Sequence, residues 1–312
     1  MRTKKMMGTW PYYLVDVFTQ EKFGGNPLAV FTDARTIPEA MMQRIAKELN
    51  LSETTFVLPP RHVENDFHVR IFTPAAEMPM AGHPTIGTAF VLAQVGQILI
   101  TQPEQQIIFE EGVGPIPVTL SLRPNQSLMI TMQQPLPEFG PILENRAALA
   151  EMLSLHPDDL DSRYPVQVVS CGVPFTYIPL KNLAAVAAAK LRLDLWEGLL
   201  ATTPAPKVFV FTSETVHPSS QVHSRMFAPS LGITEDPATG AAGGPLGAYL
   251  VKYGWVAAEP TAQIIGEQGF EMGRPSFIHI SITQRGGEIS RVLVGGESVA
   301  VGEGVFYSEM LS

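Results

Sequence analysis

The chain has 312 residues, 45% hydrophobic and 16% charged, which fits two globular domains of about 150 residues or one large one and excludes a disordered chain. Its 21 basic and 30 acidic residues leave a formal charge of −9, which argues against nucleic acid or an anionic membrane as a main partner, since both need clustered Lys and Arg. A single cysteine, Cys171, excludes an intramolecular disulfide or a multi-cysteine metal site and points to a reducing cytoplasm.

In chain order, the opening "MRTKKMMGTWPYYLVDVF" lacks the apolar core of a signal peptide, and its Arg2, Lys4, Lys5 group reads as a frayed terminus. "YYLVDVFT" is strand-like, and "FGGNPLAVF" gives a glycine turn and a second strand, with Asn26-Pro27 shaping the turn and able to approach a ligand cleft. "PEAMMQRIAKELN" predicts an amphipathic helix with Pro38 in its first turn and Met41, Ile45 and Leu49 on one face. "TTFVLPP" and "FHVRIFTP" return to strand composition. From Ala81 to Ile100 no acidic or basic side chain occurs, yet His83, Pro84, Gln94, Gln97 and the glycines suit a buried core helix followed by a strand-like "QILI" better than a membrane span. The G-x-G of "EGVGPIP" is no dinucleotide fingerprint, because Pro115 and Pro117 block the helix it needs.

A turn and a proline-rich link around "LRPNQSLMITMQQPLPEFGP" put the expected boundary near residue 125, giving lobes 1–125 and 126–312, with the last segment able to pack back on the first lobe. Beyond it the pattern recurs: "YPVQVVSCGVPFTYIPL" as a strand pair, "LAAVAAAKLRLDLWEGLL" as a helix, "KVFVFTS" as a strand, then "FIHISIT" and "RVLVGG". Each half leads through strands and a small-residue turn into a helix apolar on nearly all sides, which must be surrounded by protein. The expected class is α+β, with two pseudo-symmetric lobes, each a barrel-like sheet wrapped around a central helix.

Those two small-residue turns carry the candidate chemistry. "MPMAGHPTIGTA" places Gly82 and His83 at one helix start, with Pro84 expected as its first helical residue; "TEDPATGAAGG" places Gly240 and Ala241 at the other. Helix N-termini expose unpaired N–H groups and partial positive charge, so they hold carboxylates well. Glu235 and Asp236 on their own fit ordinary helix capping, and His83 on its own fits a packed helix cap as well as a proton carrier. Glu53, in "LNLSETTFVLPP", sits at the mouth of an apolar strand, where desolvation raises a carboxyl pKa toward the range useful for proton transfer; its plainer reading is a solvated loop acid. Together, Glu53, His83 and Asp236 beside two anion-receptive helix starts could line a cleft between lobes. No G-x-S-x-G, P-loop or H-E-x-x-H occurs, the seven histidines do not pair at zinc spacing, and Cys171 sits in an apolar strand context that suits a buried thiol.

These motifs, with "VDVFTQEKFGGNPLAVF", "RIFTPAAEMPMAGHPTIGTA", "SRMFAPSLGITEDPATG" and "QGFEMGRPS", resemble those of the phenazine-biosynthesis PhzF-like isomerases, themselves similar in fold to diaminopimelate epimerase. The resemblance covers nearly the whole chain. It implies a site between two lobes, no cofactor or metal, and a homodimer. The family's acid/base carboxylate falls on Glu53, its histidine on His83 beside Gly82, and its second-lobe acid on Asp236. Where family members often carry a serine, this chain has Ala241, which leaves only a backbone N–H, with those of Gly82 and Gly240, to hold a substrate carboxylate. The two-cysteine chemistry of diaminopimelate epimerase is unavailable to a chain with one cysteine. The implied function is a cofactor-independent isomerase that moves a proton between carbons of a small unsaturated carboxylate, the family's substrate being trans-2,3-dihydro-3-hydroxyanthranilate. An isomerase or racemase of another metabolite, or a relative that only binds ligands, stays as an alternative.

Overall fold

The computed structural model describes residues 8–308, so the expectation for Arg2, Lys4 and Lys5 lies outside the described residues. The first half runs β1 (Gly8–Val17), β2 (Asn26–Phe31), α1 (Glu39–Leu49), β3 (Glu53–Leu58), β4 (Phe67–Phe72), the two-residue β5 (Glu77–Met78), α2 (Gly82–Gln94), β6 (Glu104–Glu111), β7 (Gly114–Leu122) and β8 (Leu128–Gln134). The second runs β9 (Glu138–Ile142), α3 (Arg146–Met152), β10 (Gln167–Ser170), β11 (Pro174–Pro179), α4 (Leu183–Ala188), α5 (Leu193–Leu199), β12 (Val208–Thr212), β13 (Val222–Ala228), β14 (Ile233–Asp236), α6 (Gly240–Lys252), β15 (Thr261–Gln268), β16 (Ser276–Arg285), β17 (Glu288–Gly296) and β18 (Ser298–Ser308).

One pairing order occurs twice. In the first half β2 pairs parallel to β3, β3 antiparallel to β4, β4 parallel to β6 and β6 antiparallel to β7. In the second, β11, β12, β13, β15 and β16 repeat those four relations in the same sequence. A short strand pairs back onto its predecessor just before each central helix: β5 onto β4, and β14 onto β13. The expected pseudo-symmetric lobes are therefore present. They are stitched together by β8, which bonds to both β7 and β17, and by β18, which runs antiparallel along β1.

The central helices are buried as their composition requires. Every residue of α2 from Gly82 to Leu92 is buried, and so is every residue of α6 from Gly240 to Val251 except Ala241. A helix with no polar face gains most when sheet covers it on all sides. No described helix is long and apolar enough to cross a membrane. Separate apolar clusters lie under α1, where Phe31 stacks on Phe56 at 4.8 Å, and under α3 to α5 around Trp196.

Four local expectations are corrected. Helix α2 starts at Gly82, two residues before Pro84; proline is tolerated there because first-turn N–H groups have no partner in the helix. The "QILI" segment forms no strand. The buried face of α1 centres on Met42, Ile45 and Ala46, with Met41 and Leu49 on its flanks. The single helix expected over 183–200 is broken into α4 and α5. Arg225 Nη1 accounts for the break, since it donates to the carbonyls of Val186, Ala187 and Ala189 and so satisfies the end of α4.

Candidate active site

The starts of α2 and α6 meet N-terminus to N-terminus. A methyl group added at Gly82 would sit 2.6 Å from Gly240 Cα and from Ala241 N, and one added at Gly240 would sit 2.8 Å from Phe18 Cζ. Glycine is needed at both positions because backbone must approach backbone. The two partly positive helix ends reinforce one another, so the junction favours an anion.

Glu53, the first residue of β3, His83, in the first turn of α2, and Asp236, the last residue of β14, come together at this junction. They are 8%, 4% and 5% exposed, so they are enclosed between the lobes and do not line an open cleft. Glu53 Oε2 lies 3.2 Å from His83 Nε2, and neither atom has a hydrogen-bond partner. Burial, helped by repulsion from Asp236, pushes the Glu53 carboxyl well above the usual range. Burial pushes His83 down to about 3, so its imidazole is neutral at physiological pH.

Asp236 is held from both lobes. Its Oδ1 accepts from Asn26 Nδ2 at 2.7 Å and from Ser52 Oγ at 3.5 Å, and its Oδ2 accepts from Thr239 Oγ1 at 2.5 Å. Burial still raises its pKa to about 6, against the lowering effect of those donors. The capping reading of the two acids is set aside: Thr239 occupies the cap position of α6 and no side chain caps it. Glu235 instead forms a two-point ion pair with Arg225, both bonds 2.8 Å. Cys171 is buried, and desolvation pushes its thiol up to about 12, so it is no nucleophile.

Several contributors escaped sequence reading. Asn26 is fixed because Arg274 donates to the carbonyls of Gly24 and Gly25 and pairs with Asp16 at 2.6 Å. Gln134 Nε2 donates to the Gly240 carbonyl, Tyr177 OH to the Ala242 carbonyl, and Gln268 binds the turn that carries Asp236. Polar side chains in strands carry no local sequence signal for such contacts; the hints were the glycine-rich turn ahead of Asn26 and the motif "QGFEMGRPS", which holds Gln268 and Arg274. Among the described residues, no group of three or more His, Cys, Asp and Glu side chains is arranged to hold a metal ion.

With this geometry in view, comparison with known proteins is specific. Residues 15–304 match the model of the family described as phenazine biosynthesis-like protein. An uncharacterized isomerase of Mesorhizobium japonicum is 35% identical, the match covering 96% of this chain and 100% of the relative. The trans-2,3-dihydro-3-hydroxyanthranilate isomerase of Pseudomonas fluorescens is 34% identical, covering 94% and 98%. The crystal structure of a Bacillus anthracis phenazine biosynthesis protein of the PhzF family superimposes with a TM-score of 0.87 at 29% identity, covering 96% and 99%.

Proposed function

Because the chain belongs to the phenazine biosynthesis-like protein family and is an isomerase of that family, we propose that Glu53 moves a proton between two carbons of a small unsaturated carboxylate. The observation that carries this reading is a buried carboxyl of raised pKa, in contact with a neutral imidazole, where two helix N-termini converge.

The helix starts at Gly82 and at Gly240-Ala241 hold the substrate carboxylate through backbone N–H groups, and Ala241 contributes in this way without a hydroxyl. From its minor ionised form Glu53 takes a proton from one carbon, leaving the electron pair delocalised over the unsaturated system, and returns the proton to another carbon on the same face, which restores the carboxylate. Atoms and electrons balance within the substrate and the Glu53 carboxyl, with no redox partner. A carboxylate whose pKa is raised is a stronger base toward carbon acids, while its proton stays available for return. Neutral His83 suits this cycle, because an imidazolium would pull Glu53 back toward the usual carboxylate range. His83 and Asp236 orient the substrate or relay protons at the two sides of the carrier.

The named relatives support trans-2,3-dihydro-3-hydroxyanthranilate as the first substrate to try. Turnover of that compound in deuterium oxide, followed by NMR and mass spectrometry, is expected to give an isomer labelled at one carbon. No new product and no label uptake would remove this substrate. The family resemblance also supports a homodimer in the cytoplasm, which native mass measurement and fractionation test.

A further inference from the structure

Gln268, the last residue of β15, is fully buried and spends its whole side chain on one turn. Its Nε2 donates to the Asp236 carbonyl at 2.6 Å and to Thr239 Oγ1 at 3.0 Å, and its Oε1 accepts from Thr239 N at 3.2 Å. Only one orientation of the amide satisfies all three contacts, because its oxygen cannot donate. The bonds bracket the chain from Asp236 to Thr239 immediately before α6 begins.

The hydroxyl of Thr239 has a single proton. Since Oγ1 receives the Gln268 amide proton and lies 2.5 Å from Asp236 Oδ2, its own proton points at that carboxyl. Asn26 supplies a donor to the other oxygen at 2.7 Å. Donors on both oxygens favour the ionised carboxyl. Against them stand burial and two acids, Glu53 on β3 and Glu235 on β14 itself, the latter paired with Arg225. Ser52 contributes a weak donor, and His83 on α2 is neutral. Among the described residues Asp236 has no basic partner within 4 Å, so hydrogen bonds have to do the work a cation would otherwise do.

We propose that Gln268 is a positioning residue which, through the Thr239 hydroxyl, holds the Asp236 carboxyl in place and ionised beside Glu53. An ionised Asp236 repels a second negative charge and so keeps Glu53 loaded with its proton at rest. This extends the isomerase reading from the proton carrier to the group that sets its resting state, and rests on that reading for its catalytic meaning.

The test is carboxyl-13C NMR titration of the substrate-free protein, with Asp236→Asn and Glu53→Gln identifying the signals. Gln268→Met removes the amide without adding charge, and Thr239→Val removes the relay hydroxyl alone. In each, the Asp236 midpoint is expected to rise by about 1 pH unit or more, while Thr239→Ser, which restores a hydroxyl, keeps the wild-type midpoint. The double variant is expected to add nothing to either single one, since both cut the same relay. If Gln268→Met does not fold, Thr239→Val against Thr239→Ser decides the matter. An unchanged midpoint in a folded Gln268→Met or Thr239→Val protein, or shifts that add in the double variant, overturns the proposal. The readout needs no substrate, so a failed turnover assay with a moved midpoint would remove the substrate tried and leave the positioning role standing.

Discussion

Glu53 Oε2 and His83 Nε2 face each other across 3.2 Å at the junction of the lobes, with no hydrogen-bond partner for either atom. Burial acts on them in opposite senses on the pH scale, holding the acid protonated and the imidazole neutral. The contact at neutral pH is therefore one of two uncharged groups. It avoids the cost of a buried ion pair and leaves a movable proton on the Glu53 carboxyl.

Glu53→Gln keeps the shape and removes the carrier. Turnover is expected to fall by roughly 10²–10⁴-fold, with substrate binding little changed. The fold disfavours ionised Glu53, so the wild type loses stability as pH rises from the ordinary carboxylate pKa toward the raised one. The glutamine variant escapes that loss. Chemical denaturation at pH 6 and pH 9 should show the variant gaining on the wild type at the higher pH; turnover at the full rate would remove Glu53 from the mechanism.

Asp236→Asn removes a like charge from beside Glu53. The Glu53 pKa is expected to fall but to stay above the usual range, because desolvation is the larger cause of its elevation. A carboxyl-13C titration of the two proteins checks the direction, and an upward movement would contradict the coupling.

Gly82→Ala forces a methyl group against the backbone of Gly240 and Ala241, 2.6 Å away, where no flexible side chain can yield. The lobes must separate, at a cost of about 1–3 kcal/mol and with loss of the paired helix starts. Gly198→Ala in α5 is the matched control: no atom lies within 4 Å of the added carbon, so thermal stability should hold or rise. Equal effects from the two changes would refute the close approach.

His223 lies between Glu267 at 2.7 Å and Glu271 at 2.9 Å, which outweigh its burial and raise its pKa from 6.5 to about 9. Its contribution, about 3 kcal/mol, is fully present below pH 6.5 and is lost as pH rises through about 9. His223→Gln is expected to be less stable than the wild type at pH 6, with the difference shrinking toward pH 10. A difference that does not change with pH would show that His223 is neutral in the folded protein.

Much of the site was legible because backbone chemistry leaves marks in sequence. Glycine at 82 and 240 and alanine at 241 announced places where backbone is approached closely, and helices without a polar face announced that they are enclosed. The break between α4 and α5 was not legible, because it depends on Arg225, which arrives from a strand far along the chain. The same holds for Gln268, whose neighbours in sequence say nothing about Thr239.

What the sequence by itself determined is the set of local rules: strand and helix segments, two buried helices with small-residue starts, an acid at the mouth of a strand, and a family signature along the chain. These follow from composition and short spacing, which act over a few residues. Only the tertiary structure decided that the two helix starts touch, that Glu53 faces a neutral His83, and that Asp236 is held by Asn26 from one lobe and by Gln268 and Thr239 from the other. Desolvation and hydrogen-bond geometry set those protonation states, and both depend on which distant segments the repeated sheet brings together.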